Sequence, residues 1–365
     1  MTSSAFPAPR PTASAADRQP LLEVESLSVE FHTRSQTVRA VDDVTFAVEA
    51  GETVVVLGES GSGKSVTALT TMGLLDPPPA VVTTGAVRFR GTDLLTLGPR
   101  ERRAYRGPKM AMIFQDALSA LNPVYSVGSQ IAEMIRAHTP ASRSAAKARA
   151  VELMDRVRIP GAARRYGDYP HQFSGGMRQR IMIAMALALD PELLIADEPT
   201  TALDVTIQAQ IMALLKDLQQ EHGMALLLIT HDLGVADQVA DRIVVMYAGR
   251  VVESAAADAL YRHPSHPYTE GLLASVPTAT ARVEHLTPIP GSPPNPTRLP
   301  SGCPFHPRCP RVQDICRTER PPLLRIGARV RAGVGGGSAY APAGLPLDDQ
   351  ASACHFAEEV RGARV

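Results

Sequence analysis

The residues Gly58-Glu59-Ser60-Gly61-Ser62-Gly63-Lys64-Ser65 combine a glycine-rich backbone with a lysine and hydroxyls, a set suited to holding a polyphosphate. Glycines let the backbone bring its N–H groups close to phosphate oxygens, and a helix starting beneath them adds partial positive charge. Lys64 can then reach the β- and γ-phosphates, and the Ser65 hydroxyl can ligate a Mg²⁺ ion that bridges them. Four more side chains suit hydrolysis at such a site. Gln115 can hold a metal-bound water, Asp197 suits a Mg²⁺ ligand, Glu198 suits the base that polarises an attacking water, and the His231 imidazole can bond a γ-phosphate. Ser174-Gly175-Gly176 opens a helix-forming stretch and makes a second anion-binding element, although three such residues also make an ordinary helix cap.

Each of these groups follows an apolar run. Thr53-Val-Val-Val-Leu57 leads into the glycine loop, Met110-Ala-Met-Ile-Phe114 delivers Gln115, Pro191-Glu-Leu-Leu-Ile-Ala-Asp-Glu-Pro-Thr200 carries the two acids, and Ala225-Leu-Leu-Leu-Ile-Thr230 delivers His231. Runs this short and continuous read as buried parallel strands, whose carboxyl ends are where ligands gather in open α/β sheets. Residues 242–246 and 250–253 close the sheet. Apolar and polar residues alternate over 21–31, 38–48 and 86–90, which suits half-buried strands of an antiparallel flap. Residues 117–164 are helix-forming, with Ile131, Met134 and Ile135, and again Val151, Met154 and Val157, near helical spacing. A second helical stretch covers 181–189, and another runs from about 201 to 218. The expected fold is α/β, with a central mostly parallel sheet, an antiparallel β flap and a helical insertion.

Bulk properties narrow the function. The 365 residues are 44% hydrophobic, enough to supply a core, and Lys+Arg and Asp+Glu each number 37. That balance gives no global field to draw a nucleic acid. The apolar stretches 181–189 and 225–229 fall far short of the roughly 18 residues of a membrane helix, so any membrane role is expected to be peripheral. Residues 1–20, rich in Pro, Ala and Ser, read as a disordered tail without an export signal. No internal repeat is visible.

The order of phosphate loop, strand-end glutamine, helical insertion, Ser-Gly-Gly, paired acids, Ala-Leu-Asp and strand-end histidine resembles the nucleotide-binding domain of ATP-binding cassette (ABC) transporters, a P-loop NTPase fold, over about residues 21–277. The resemblance implies a site shared between two subunits paired head to tail, in which Ser174, Gly175, Gly176 and Met177 form the signature that completes the ATP site of a partner. It also implies Glu198 as general base, His231 as the switch histidine, Asp204 as an inter-subunit contact, and Phe31 as the nearest candidate to stack on adenine. Phe173-Ser-Gly-Gly-Met-Arg-Gln-Arg180 has Met177 where the family more often has Gln and Phe173 where Leu is common. In this it is similar to one of the two ATPases of oligopeptide and dipeptide importers, whose companion ATPase usually carries the Gln. Two other kinds of cassette are excluded. Residues 65–174 are too few for the long coiled coil of DNA-repair or chromosome cassettes, and a single phosphate loop sets the chain apart from translation-associated ones. A regulatory, non-hydrolysing cassette would be expected to lack Glu198 or His231.

Residues 278–365 form a separate extension in this reading. His266-Pro-Tyr-Thr-Glu-Gly-Leu-Leu273 and Pro288-Ile-Pro-Gly-Ser-Pro-Pro-Asn-Pro296 resemble the tail of the peptide and nickel importer ATPases. Cys303, Cys309, Cys316 and Cys354 are spaced C-x₅-C-x₆-C-x₃₇-C, with residues 333–344 as a glycine-rich loop before the last. Four thiolates without a C-x₂-C pair suit an iron–sulfur cluster better than structural zinc, with free thiols a third possibility. The resemblance adds that some members of this branch hold a [4Fe-4S] cluster there. It further implies ATP and Mg²⁺ as cofactors, a second and distinct ATPase subunit, two membrane-spanning permeases and an extracytoplasmic solute-binding protein. The expected role is ATP-driven import of di- or oligopeptides from the cytoplasmic face of the membrane, with nickel chelates or another small solute as alternative cargo.

Overall fold

Two interleaved apolar faces organise the chain. The computed structural model describes residues 19–75, 77–201, 203–275, 288–326 and 350–362. Strand β1 (Leu22–His32) pairs antiparallel with β2 (Thr37–Val48) across a turn in which the Thr33 hydroxyl donates to the Gln36 carbonyl at 2.8 Å. The central strand is β3 (Thr53–Leu57), and the flap is completed by β4 (Ala80–Phe89) and β5 (Thr92–Asp93) in the order β2-β1-β4-β5. Strand β4 is longer than the stretch 86–90 expected from alternation. Its first half pairs with β1 while Val81 and Val82 face solvent, so only the second half carries the half-buried pattern.

The main sheet adds β6 (Met110–Ile113), β7 (Leu193–Asp197), β8 (Ala225–Thr230), β9 (Arg242–Tyr247), β10 (Arg250–Ala256), β11 (Leu324–Arg325) and β12 (Ala351–Ser352), in the order β11-β12-β10-β9-β3-β8-β7-β6. The five strands from β9 to β6 run parallel, and β10, β12 and β11 continue antiparallel. Every residue of β3 and of β6 to β9 is buried, the condition of a sheet covered on both faces. Along β3, Val54 and Val56 enter one apolar cluster with the flap, whereas Val55 and Leu57 enter the other with the helical insertion. Each such side chain, fully buried, is worth about 1.5–3 kcal/mol. A mixed α/β sheet with a flap is therefore the observed architecture.

Helix α1 (Lys64–Thr71) leaves the glycine loop directly. In the insertion, α2 (Val127–His138) buries Val127, Ile131 and Ile135, and α3 (Arg143–Arg156) buries Ala146, Ala150, Leu153 and Met154. Helix α4 (Gly175–Ala186) begins at the Ser174-Gly175-Gly176 opening expected from the sequence, six residues before the apolar stretch at 181. Helices α5 (Val205–His222), α6 (Leu233–Val239) and α7 (Pro267–Ala274) follow.

The C-terminal segment is stitched onto the main sheet. Strands β12 and β11 extend it beyond β10, and Phe305 joins the core cluster of the insertion. The fully buried carboxylate of Glu253 on β10 accepts from the Ser265 N–H and hydroxyl, both at 2.8 Å, from the His266 N–H at 3.0 Å and from Gln350 Nε2 at 2.8 Å. These donors answer the cost of burying a polar group. Residues 1–18 of the tail, the domain boundary at 277–278 and the glycine-rich stretch 333–344 lie outside the described residues.

Candidate functional site

The parallel register of β6, β7, β8 and β3 brings their carboxyl ends to one edge, so residues up to 173 positions apart open on the same cleft. That cleft, of about 550 Å³, is lined by the glycine loop together with Gln115, Glu198, His231 and Leu272. Gly58 needs its missing side chain, since a Cβ there would come within 2.3 Å of the Met246 carbonyl oxygen. At Gly63, φ is 97° and a Cβ would meet the Ala40 carbonyl oxygen at 2.5 Å.

Lys64 is folded back. Its Nζ donates to the carbonyls of Gly58 and Glu59 at 2.7 and 2.9 Å. Burial pushes its pKa down, against the pull of Glu198, Asp197 and Glu59. The Ser65 hydroxyl donates to Asp197 Oδ1 at 3.0 Å, linking the start of α1 to the tip of β7. Asp197 is buried, and burial raises its pKa, with the Glu198 charge adding to the shift and the Ser65 bond and Lys64 opposing it. The hydroxyl and carboxylate oxygens brought together here are hard donors of the kind Mg²⁺ takes.

Glu198 is the meeting point of the site. Its Oε2 accepts from Gln115 Nε2 at 3.0 Å and from the Thr201 hydroxyl at 2.8 Å, and His231 Nδ1 lies 3.3 Å from its Oε1. Its backbone has φ of 45°, held by a bond from its N–H to the Ile229 carbonyl at 2.9 Å. A non-glycine residue in that region is strained, and such strain concentrates at functional sites. The arrangement can bind a triphosphate on the loop and hold a carboxylate where it could orient water.

The structure thus gathers Gly58, Glu59, Ser60, Gly61, Gly63, Lys64, Ser65, Gln115, Asp197, Glu198 and His231, with Ser62 in the same loop. It places the other residues singled out in the sequence elsewhere. Ser174 caps α4, its Oγ accepting from the Met177 N–H at 3.4 Å, and Ser174 and Gly175 are exposed and do not line the cleft. Asp204 caps α5, accepting from the Ile207 N–H at 2.9 Å beside the exposed Val205. Helices α4 and α5 touch where a Cβ on Gly176 would come within 2.6 Å of Ile207. Phe31 lies on β1, opposite Ala80, half-buried against the flap's cluster, and is not among the residues lining the cleft. Sequence reasoning missed Thr201 at the site, and it did not bring Leu272, Tyr268 or Arg308 there, which reach it from far along the chain.

The four cysteines line one small cavity, which His266, His306 and His355 also border. All four are free thiols, and burial pushes Cys303 up to about 11 and Cys354 up to about 12. Among the described residues, no group of three or more His, Cys, Asp or Glu side chains is gathered so as to hold a metal ion. Nor does any helix of the described residues have the length and apolarity to cross a membrane.

Comparison with known proteins adds to this geometry. Residues 41–201 match the family model described as ABC transporter, and residues 252–316 match that of the oligopeptide/dipeptide transporter C-terminal region. A relative in Brucella abortus (strain 2308), named for peptide import and ATP binding, is 51% identical over 310 residues, covering 85% of this chain and 93% of the relative. Another from the same strain, similarly named, is 50% identical over 320 residues, covering 85% and 95%. Among solved structures, a dimeric ATP-binding cassette in a post-hydrolysis state with ADP and Pi matches with a TM-score of 0.59 at 28% identity, covering 65% of this chain and 98% of that one. A subunit of an ABC transporter complex from Clostridium perfringens shares the fold, with a TM-score of 0.56 at 24% identity, covering 66% and 90%.

Proposed function

This chain belongs to the ATP-binding proteins of ABC transporters with the oligopeptide/dipeptide C-terminal region, and from that membership we propose that it hydrolyses ATP to drive import of di- or oligopeptides. The observation that carries the hydrolytic part is the gathering of Gln115, Thr201 and His231 on the Glu198 carboxylate beside Lys64, Ser65 and Asp197.

ATP binding on the glycine loop draws Lys64 Nζ from the Gly58 and Glu59 carbonyls to the phosphates. Mg²⁺, when bound through Ser65, Asp197 and Gln115, offsets phosphate charge. Glu198 orients water for in-line attack on the γ-phosphate, held at one oxygen by Gln115 and Thr201, while His231 at the other oxygen bonds the γ-phosphate. Ser174, Gly175, Gly176 and Met177 complete the site of a second ATPase subunit, and Asp204 lies at that junction. Support comes from the exposure of Ser174, Gly175 and Asp204 at helix starts, outside their own chain's cleft, and from the dimeric state of the cassette solved with ADP and Pi. Met177 favours a distinct companion ATPase. Phe31 remains the proposed adenine contact, reached from the flap.

An apolar groove of about 310 Å³, lined by Met72, Phe114, Met134, Met182 and Met185, lies between β6 and the insertion. Methionines make an adaptable seat for a helix, here a short helix of one of two membrane-spanning permeases. ATP-driven closure of the paired ATPases would then shift the permeases between states, with hydrolysis restoring the open form. An extracytoplasmic binding protein would deliver the solute to a complex whose ATPases sit on the cytoplasmic face.

Cys303, Cys309, Cys316 and Cys354 are the residues that would hold an iron–sulfur cluster. Their convergence on one cavity from positions up to 51 residues apart supports this, although the thiols are not gathered at metal-holding distance, and no step of hydrolysis is routed through them. Anaerobically purified chain is expected to be brown, absorbing near roughly 400 nm with iron bound, and to lose both on Cys309→Ser. Colourless, iron-free protein would remove the cluster. The hydrolytic reading is tested by Glu198→Gln in the assembled importer: ATP still binds and the paired state accumulates, but turnover is lost. Wild-type turnover in that variant would take Glu198 out of its role.

A further inference from the structure

The tail reaches the phosphate loop through one buried arginine. Arg308, 6% exposed, spans the Glu59 carboxylate with two parallel bonds, Nη1 to Oε2 at 2.7 Å and Nη2 to Oε1 at 3.0 Å. The guanidinium is itself fixed, with Nε donating to the Pro290 carbonyl at 2.9 Å and Nη1 to the Tyr247 hydroxyl at 3.3 Å, beside the buried rings of Tyr247 and Phe305. A two-point grip on a carboxylate amid apolar rings is strong and directional.

The other polar groups of Glu59 are also engaged. Its N–H donates to the Tyr268 hydroxyl at 3.0 Å, and its carbonyl accepts from Lys64 Nζ at 2.9 Å. Tyr268 is fully buried and packs on Tyr247 and Phe305. Residues 247, 268, 305 and 308 therefore act on the second position of a loop lying more than 180 residues earlier. An unpaired carboxylate at that position would repel a triphosphate and would hold Lys64 back by its charge.

We propose that Arg308 is a positioning residue for ATP binding, neutralising Glu59 and fixing the loop so that nucleotide is admitted without like-charge repulsion. The inference rests on the reading of this cleft as an ATP site.

The test is steady-state hydrolysis of MgATP by the assembled importer. Arg308→Met is expected to raise KM for ATP about ten-fold, a change of about 1.4 kcal/mol, while kcat stays within about two-fold. Adding Glu59→Gln to that variant removes the exposed charge and is expected to bring KM back to within about three-fold of wild type; a merely structural anchor would not be rescued this way. An unchanged KM in Arg308→Met, or a double variant as impaired as the single, overturns the proposal. Should Arg308→Met fail to assemble, Arg308→Lys keeps the charge and loses the two-point grip. Its KM is expected to rise about three-fold, and no rise overturns the proposal. A wild-type importer that does not hydrolyse ATP would instead sink the ATPase reading itself.

Discussion

Glu198 combines a strained backbone with a carboxylate whose two oxygens are both engaged, and the two facts belong together. The φ of 45° turns the residue off the end of β7, and its side chain then meets Gln115 from β6, His231 from β8 and Thr201 from its own turn. Replacing the carboxylate with an amide keeps the shape and removes the base, so the loss in Glu198→Gln should appear in turnover, by at least about a hundred-fold, and not in affinity. Single-turnover hydrolysis beside nucleotide binding checks the split. Most of this was legible in the sequence because each group directly follows an apolar strand. Thr201 was not, since from the sequence it reads only as the start of the helix expected from about 201. Arg308 and Tyr268 were beyond reach, because their contacts with Glu59 span 249 and 209 residues.

Among the elements, the junction of α4 and α5 ties the signature to the rest of the chain. Gly176 sits where α4 meets Ile207, and Gly175 faces Leu203. A methyl group on Gly176 would overlap Ile207 and push the start of α5, with Asp204 at its cap, away from α4. Gly176→Ala should therefore cut turnover about ten-fold while ATP binding to the single chain is retained, and Ile207→Ala in the same protein should recover most of it. Lack of recovery would mean that the glycine serves the shared site through its backbone and not through this contact. Element positions were read well wherever burial was one-sided or complete. The first half of β4 escaped because Val81 and Val82 face outward, and β11 and β12 because two-residue strands carry no period.

For the whole molecule, one sheet carries both the phosphate loop and the tail. The edge strands, the Glu253 network and the Arg308 bridge fasten the tail to the cassette, so its cysteine cavity and the ATP cleft lie on a common framework. Ser174 and Gly175 of the signature, by contrast, stand exposed outside the cleft of their own chain, with Gly176 and Met177 half-buried behind them, and nucleotide hydrolysis by this account needs a second cassette. The most direct test is ATP hydrolysis by the purified importer with Ser174→Arg here and the same change at the matching serine of the companion ATPase. Turnover should fall to background while nucleotide still binds the isolated chain within about two-fold of wild type, since the loop that holds it is untouched. Hydrolysis at the wild-type rate with both serines replaced would contradict the shared site.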